Sequence, residues 1–120
     1  SLIVGSVDVY KRQDIYMTYD VDLNEMKAYI LNKFKNEGDF DFLKEGLMEE
    51  LVDEMMSVDQ AYLAKLSEDD DYEDDDVYEM LIAALQNKYP NYKMYAMRLA
   101  EDYLDFSEEY LVSVDAIEWE

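Results

Sequence analysis

The most regular set of chemically active side chains in this sequence is a series of carboxylates between positions 45 and 54. Glu45, Glu49 and Asp53 recur every four residues, and Glu50 and Glu54 repeat that spacing. Residues four apart share one helix face, and each like-charge pair destabilises an isolated helix by about 0.2–0.5 kcal/mol. We expect these five carboxylates, named the acidic ladder below, to lie on the helix face opposite the apolar side chains of the same helix. No nearby Lys or Arg is expected to balance their negative charge. The acidic ladder favours a surface that binds a cationic partner, although a face kept acidic for solubility fits the same pattern.

A second acidic surface is the run from 69 to 76, named the acidic segment below. Its residues are Asp69, Asp70, Asp71, Tyr72, Glu73, Asp74, Asp75 and Asp76. An EF-hand calcium loop needs Gly at its sixth position and Glu at its twelfth, but counting from Asp69 these positions hold Asp74 and Met80. A run this charged should not pack. We therefore predict a solvated loop over 67–76 that assists the acidic ladder, with weak divalent-cation binding as an alternative.

Tyrosines form the other candidate contact surface, because twelve in a chain of 120 residues are more than a core of this size buries easily. Tyr72 and Tyr78 adjoin the most acidic residues, where their rings could receive Arg side chains through cation–π contacts. Tyrosine is also enriched at protein interfaces. We expect these two side chains to contact the same partner as the acidic segment.

The composition argues against most catalytic and metal chemistry. Because the sequence has neither Cys nor His, it cannot form a disulfide, a thiolate zinc site or a histidine base. Its three Gly are too scattered for a phosphate-binding loop. Thirty-one Asp and Glu against ten Lys and Arg give a formal net charge of −21, which disfavours direct binding of nucleic acid or anionic membranes. We expect no enzymatic activity and no cofactor.

Apolar periodicity places these carboxylates on helices. Asp22 should cap a first helix whose apolar residues recur at helical spacing until Gly38 ends it. Asp39 or Asp41 should cap a second helix, which carries the acidic ladder. A capping box over 57–60 then predicts a break followed by a short third helix, although one continuous helix is the alternative.

Two further helices are predicted after the acidic segment. Asp76 has the spacing of a cap for a helix that Tyr89 and Pro90 stop. Asn91 should open the last long helix, which ends near Ser107. Residues 111–119 are rich in Val, Ile and Trp and are predicted as a strand.

The two chain ends are predicted to pair, since residues 15–21 alternate apolar and polar side chains as a strand does. The expected fold is mainly α, with about five helices in a compact bundle-like domain and a small β-element from the chain ends. Residues 14–120 should form this single acidic helical domain. Residues 1–13 are either a strand or a non-native extension, because residues 7–13 resemble a peptide produced when sequencing-adapter DNA is translated in assembled metagenomes.

The acidic, tyrosine-rich and Cys-free composition resembles phage anti-CRISPR or DNA-mimic inhibitors and bacterial immunity proteins that neutralise nuclease toxins. The resemblance is spread over the whole chain and rests on no motif. It implies an inhibitor in the cytoplasm of a host bacterium that occludes a basic nucleic-acid-handling protein. The ladder loosely matches the charge spacing of DNA. Residues four apart on a helix rise by about 6 Å, which is near the distance between every second phosphate on a strand whose phosphates are about 3.4 Å apart. The alternative is a structural or assembly protein that acts through homo-oligomerisation.

Overall fold

Four α-helices make up most of the chain that the computed structural model describes, which covers residues 21–67 and 69–116. They are α1 (Leu23–Glu37), α2 (Leu47–Lys65), α3 (Asp74–Lys88) and α4 (Ala96–Ser113), with a 3-10 helix (Pro90–Tyr95) between α3 and α4. The prediction of a mainly α protein is confirmed.

The first helix begins and ends where its sequence predicts. The Asp22 side chain accepts hydrogen bonds from the backbone N–H groups of Asn24 and Glu25 at 2.9 and 3.2 Å, which satisfies donors that the first helical turn leaves open. Gly38 ends the helix with φ of 77°, a left-handed conformation that glycine adopts without strain. Met26, Ile30 and Phe34 form the buried face of α1.

The second helix begins later than predicted, at Leu47 rather than after Asp39 or Asp41. Residues 39–46 form successive turns instead, and Gly46 precedes the helix with φ of 85°. This path buries Phe40, whose ring packs against the rings of Phe34 and Tyr95 at centroid distances of 6.0 and 6.1 Å. Burial of one aromatic side chain therefore replaces the first predicted turns of helix.

The predicted break at 57–60 is wrong, and α2 continues through it to Lys65. Ser57 and Gln60 would be the capping pair, but the buried face of α2 runs on past them through Asp59, which accepts hydrogen bonds from two tyrosine hydroxyls. The predicted second and third helices are thus one helix, which reduces the expected count of about five helices to four.

The later boundaries also differ from the predictions. The third helix starts at Asp74, so the expected loop loses its last three residues to a first turn that is entirely acidic. Negative side chains at a helix N-terminus are favoured by the helix dipole. Pro90 ends α3 as predicted, but residues 90–95 form a 3-10 helix in which Tyr92 leaves helical geometry, and α4 begins at Ala96.

The predicted β-element is not found in the described part of the chain. Leu111 lies inside α4 with its side chain buried, because the helix continues to Ser113 and extends the apolar face that carries Tyr103 and Phe106. A turn over 114–116 follows. The rest of the predicted strands lies outside the described residues, at 15–20 and 117–120. The possible extension over 1–13 lies outside them as well.

The helices close into a ring around one core, since each helix packs against the next along the chain and α4 returns to α1. The largest fully buried side chains include Met26, Leu51, Leu81, Leu99 and Tyr103, so all four helices contribute. Within the residues that the structure describes, no helix is both long and apolar enough to cross a lipid bilayer.

Candidate functional site

The acidic ladder runs along the exposed side of the N-terminal half of α2. Glu49, Glu50 and Asp53 are exposed, while Glu54 is half-buried at the edge of this face. Glu45 is exposed in the turn that precedes the helix. The core-facing side of the same helix buries Leu51, Val52 and Met55, among others. The prediction that the carboxylates oppose the apolar stripe is confirmed for the helical members.

The prediction that the ladder is uncompensated is wrong. From α1, the Lys27 ammonium lies 3.1 Å from Glu49 Oε1 and 2.9 Å from Asp53 Oδ1. From α3, the Lys88 ammonium lies 2.9 Å from Glu54 Oε1. Hydrogen bonds to Asp53 and then to Glu49 raise the pKa of Lys27, which keeps its charge in place. Neighbouring helices thus supply cations that neutralise part of the ladder.

The ladder nevertheless keeps an excess of negative charge. Five carboxylates face two lysines, so three formal negative charges remain. Glu45 and Glu50 form no ion pair within 4.0 Å among the described residues. Exposed ion pairs contribute little to stability, typically about 0–1 kcal/mol. The face therefore remains open to a competing cation, with Glu45 and Glu50 as its unpaired acceptors.

The acidic segment lies at the other end of α2 and is more ordered than a solvated loop. Asp70 accepts a hydrogen bond from the Ser67 backbone N–H at 2.8 Å. The Glu73 backbone N–H donates to the Tyr62 hydroxyl at 3.1 Å. The first contact closes a turn just after α2, and the second attaches the segment to α2 itself. The carboxylates of Asp69, Asp70, Asp71, Glu73, Asp75 and Asp76 belong to exposed residues.

Tyr72 points into the protein rather than toward a partner. Its hydroxyl donates to Asp59 Oδ1 at 2.7 Å, and its ring packs edge-on against Tyr62 with centroids 5.4 Å apart. The Tyr103 hydroxyl of α4 donates to the other oxygen of Asp59 at 2.9 Å. The expectation that the segment does not pack is thus wrong at Tyr72, which joins the segment to α2 and α4. Tyr78 is half-buried against the core.

Asp59 is a buried ionisable side chain that the sequence pattern did not single out. Burial raises its pKa to about 6, while hydrogen bonds from Tyr72 and Tyr103 oppose that rise. Burial and the nearby Asp59 charge in turn raise the pKa of Tyr72 well above its usual value. The available signal was periodicity, because Asp59 lies four residues from both Met55 and Leu63 and therefore shares their buried face in a continuous helix.

Two carboxylates of α4, Asp105 and Glu108, lie near Asp74 of the acidic segment and add to its negative potential. Partial burial, together with neighbouring acidic charges, raises the pKa of all three groups. Like charges disfavour ionisation of one another. The same charges favour any cation that approaches this end of the molecule.

The two predicted acidic surfaces lie on successive stretches of α2. The Glu73 backbone N–H reaches the Tyr62 hydroxyl, and Tyr62 lies eight residues after Glu54, a rise of about 12 Å at about 1.5 Å per residue. A single globular partner can therefore contact both surfaces.

The described residues offer no evident metal centre. No group of acidic side chains within 21–67 and 69–116 is arranged to hold a metal ion. The carboxylates instead point outward as separate charges, or accept hydrogen bonds from tyrosine and lysine. Such an arrangement can bind an extended cationic surface.

Comparison with models of protein families, with curated proteins and with solved structures found no match.

Proposed function

We propose that this protein binds a basic nucleic-acid-handling protein and occludes its nucleic-acid site, acting by binding rather than by catalysis. The observation that supports the proposal most is the acidic ladder, whose five carboxylates keep three formal negative charges after pairing with Lys27 and Lys88. A nucleic-acid-handling protein offers the complement of such a face, since its site holds Lys and Arg for phosphates.

Electrostatic steering is the expected mechanism of association. A protein with a formal net charge of −21 draws a basic partner toward it and speeds encounter. On contact, partner cations can join Glu45 and Glu50 or exchange with Lys27 and Lys88. The same cations then cannot bind phosphates, so binding should exclude nucleic acid. The exposed carboxylates of the acidic segment extend the contact across the other end of α2.

The first experiment is capture of basic proteins from a bacterial lysate by the immobilised chain. The variant Glu45→Gln/Glu50→Gln replaces the two ladder carboxylates that form no ion pair with any described residue. The matched control is Glu37→Gln/Glu79→Gln, which removes the same charge at exposed positions. Glu79 is nine residues from Lys88 on α3, about half a turn around the helix from the ladder-facing side.

Association kinetics of a captured partner then test the role of the ladder. The ladder variant should associate several-fold more slowly than the control, and the difference should shrink as salt rises, because charges are screened over about 8 Å at physiological ionic strength. Equal association rates for the ladder variant and the control would leave the ladder as a solvated face. Capture of acidic partners alone would also contradict the proposal.

A further inference from the structure

Three of the most exposed large apolar side chains lie at one end of the molecule. Phe42, Met94 and Met97 are 59%, 77% and 59% exposed. The ring of Phe42 lies against Tyr95, with centroids 5.1 Å apart, and Met94 directly precedes Tyr95. Met94 and Met97 are three residues apart where the 3-10 helix passes into α4, a spacing that places them on one side. Phe42, Met94 and Met97 are named the apolar patch below.

The fold holds Phe42 in place without burying it. Arg98 on α4 forms ion pairs with Asp39 of the turn before α2 and with Asp102. Phe40, two residues before Phe42, is inserted in the core. The turn is thus fixed on both sides of Asp41, so Phe42 is presented from a defined position. Apolar groups held in this way bind with little loss of conformational freedom.

The chemistry of the patch suits contact with another protein. Aromatic side chains provide the anchors of many interfaces, and exposed methionines are frequent on surfaces that adapt to their partners because the thioether chain is flexible and polarizable. Neither methionine is needed to fill the core, since each is more than half exposed. Exposing these apolar side chains to water therefore has an unfavourable free energy, which binding of a partner would remove.

The surrounding charge selects which partner can bind. The turn over 39–46 carries Asp39, Asp41 and Glu45 against Lys44, and residues 93–102 carry Glu101 and Asp102 against Lys93 and Arg98. Arg98 is already paired with two of these carboxylates, so the rim carries a net negative charge. A second copy would bring two chains of −21 into contact, and their repulsion opposes self-association.

We propose that the apolar patch docks a basic amphipathic segment of the partner, one that carries apolar side chains beside Lys or Arg. This inference rests on the proposed function, because the patch supplies apolar contacts to an interface that the ladder steers. Glu45 connects the two surfaces, since it belongs to the ladder and follows Phe42 by three residues. The patch determines how long the complex lasts, and the ladder determines how fast it forms.

Two fluorescent model peptides of Leu and Lys serve as the probes. In the first the leucines share one helical face, and in the second the same residues are scrambled so that they do not. Net charge is equal, so steering is equal for both peptides. The wild-type protein should bind the amphipathic peptide about tenfold more tightly than the scrambled one. The variant Phe42→Ser/Met94→Ser/Met97→Ser should lose this preference while still binding both peptides weakly.

Two controls keep the result specific to the patch. Leu23→Ser/Met80→Ser removes two other exposed apolar side chains and should keep the preference. Met94→Ser alone, at the most exposed of the three positions, should lower the preference without affecting folding, as checked by circular dichroism. Unchanged preference in both patch variants would overturn the proposal, as would a wild-type homodimer, seen by sedimentation, that the patch substitutions dissociate.

The experiment can refute the proposed function and the docking proposal independently of each other. If the substitutions Glu45→Gln and Glu50→Gln leave association with both peptides unchanged while the patch variant loses its preference, the apolar dock stands and the steering role of the ladder is wrong. If the ladder variant slows association with both peptides but the patch variant keeps its preference, the ladder stands and the dock is wrong.

Discussion

Replacing Asp59 by Asn should remove a pH dependence that this buried carboxyl group imposes on stability. Burial raises the pKa of Asp59 from 3.8 to about 6, against the opposing hydrogen bonds from Tyr72 and Tyr103. The folded protein therefore holds the Asp59 proton more tightly than the unfolded chain does, so the protonated form is the stabilising one. Its contribution is present at low pH and is lost as pH rises through the window from about 4 to about 6.

The magnitude follows from the pKa difference. The rise in the pKa of Asp59 from 3.8 to about 6 corresponds, at about 1.36 kcal/mol for each tenfold change in proton affinity, to about 3 kcal/mol lost from the free energy of unfolding at neutral pH. The isoelectric point of the sequence is about 4.1, so measurements begin at roughly pH 4.5 to keep the protein charged. Between there and roughly pH 7.5, about 2 kcal/mol of the effect remains to be observed.

Urea unfolding followed by circular dichroism across this range measures the effect. The Asp59→Asn side chain carries no charge and, like the protonated carboxyl group, offers one carbonyl oxygen to the two tyrosine hydroxyls. We therefore expect the variant to be close to the wild type in stability at the acidic end and to gain on it as pH rises, by about 2 kcal/mol in total. Asp74 and Asp105 are present in both proteins, so the difference isolates Asp59. Parallel stability curves would refute the burial argument.

Two further predictions concern stability. Tyr72→Phe removes one donor to Asp59, so the pKa of Asp59 should rise further, and the free energy of unfolding at neutral pH should fall by about 1.5–3 kcal/mol, the range for hydrogen bonds to charged groups; an unchanged urea midpoint would contradict the contact. Asp22→Ala removes the cap of α1 and should cost about 1 kcal/mol, measured in the same unfolding assay, whereas Asp22→Asn, which can also cap, should cost much less.

Local signals account for the parts of the fold that the sequence predicted well. Asp22 and Gly38 specify both ends of α1 through side-chain and backbone geometry that depends only on nearby residues. Leu99, Tyr103 and Phe106 recur at helical spacing, and that local pattern is sufficient to place them on the buried face of α4.

Tertiary contacts account for the boundaries that were missed. A capping box over 57–60 has the right residue types, but the helix continues because its buried face includes Asp59, which bonds to tyrosines 13 and 44 residues away. Nothing in the local pattern reveals those partners. Phe40 similarly leaves the predicted helix because its ring is buried against Phe34 and Tyr95.

The position of the acidic ladder could be predicted from the sequence, but the lysines that pair with it could not. Helical spacing placed Glu49, Glu50 and Asp53 on one exposed face, and the structure agrees. Their compensation comes from Lys27 on α1 and Lys88 on α3, which lie 22 residues before Glu49 and 34 residues after Glu54. Pairs across helices depend on how the helices pack, so no spacing rule within α2 could find them.

Competition between this protein and nucleic acid for one basic partner tests the central claim most directly. A fluorescent DNA or RNA duplex bound to the captured partner is titrated with the wild-type protein, the variant Glu45→Gln/Glu50→Gln and the control Glu37→Gln/Glu79→Gln, and anisotropy reports release of the duplex. We expect the wild type and the control to displace the duplex at similar concentrations, and the ladder variant to require several-fold more protein. A ternary complex, in which the wild-type protein binds the partner while the duplex stays bound, would contradict occlusion of the nucleic-acid site.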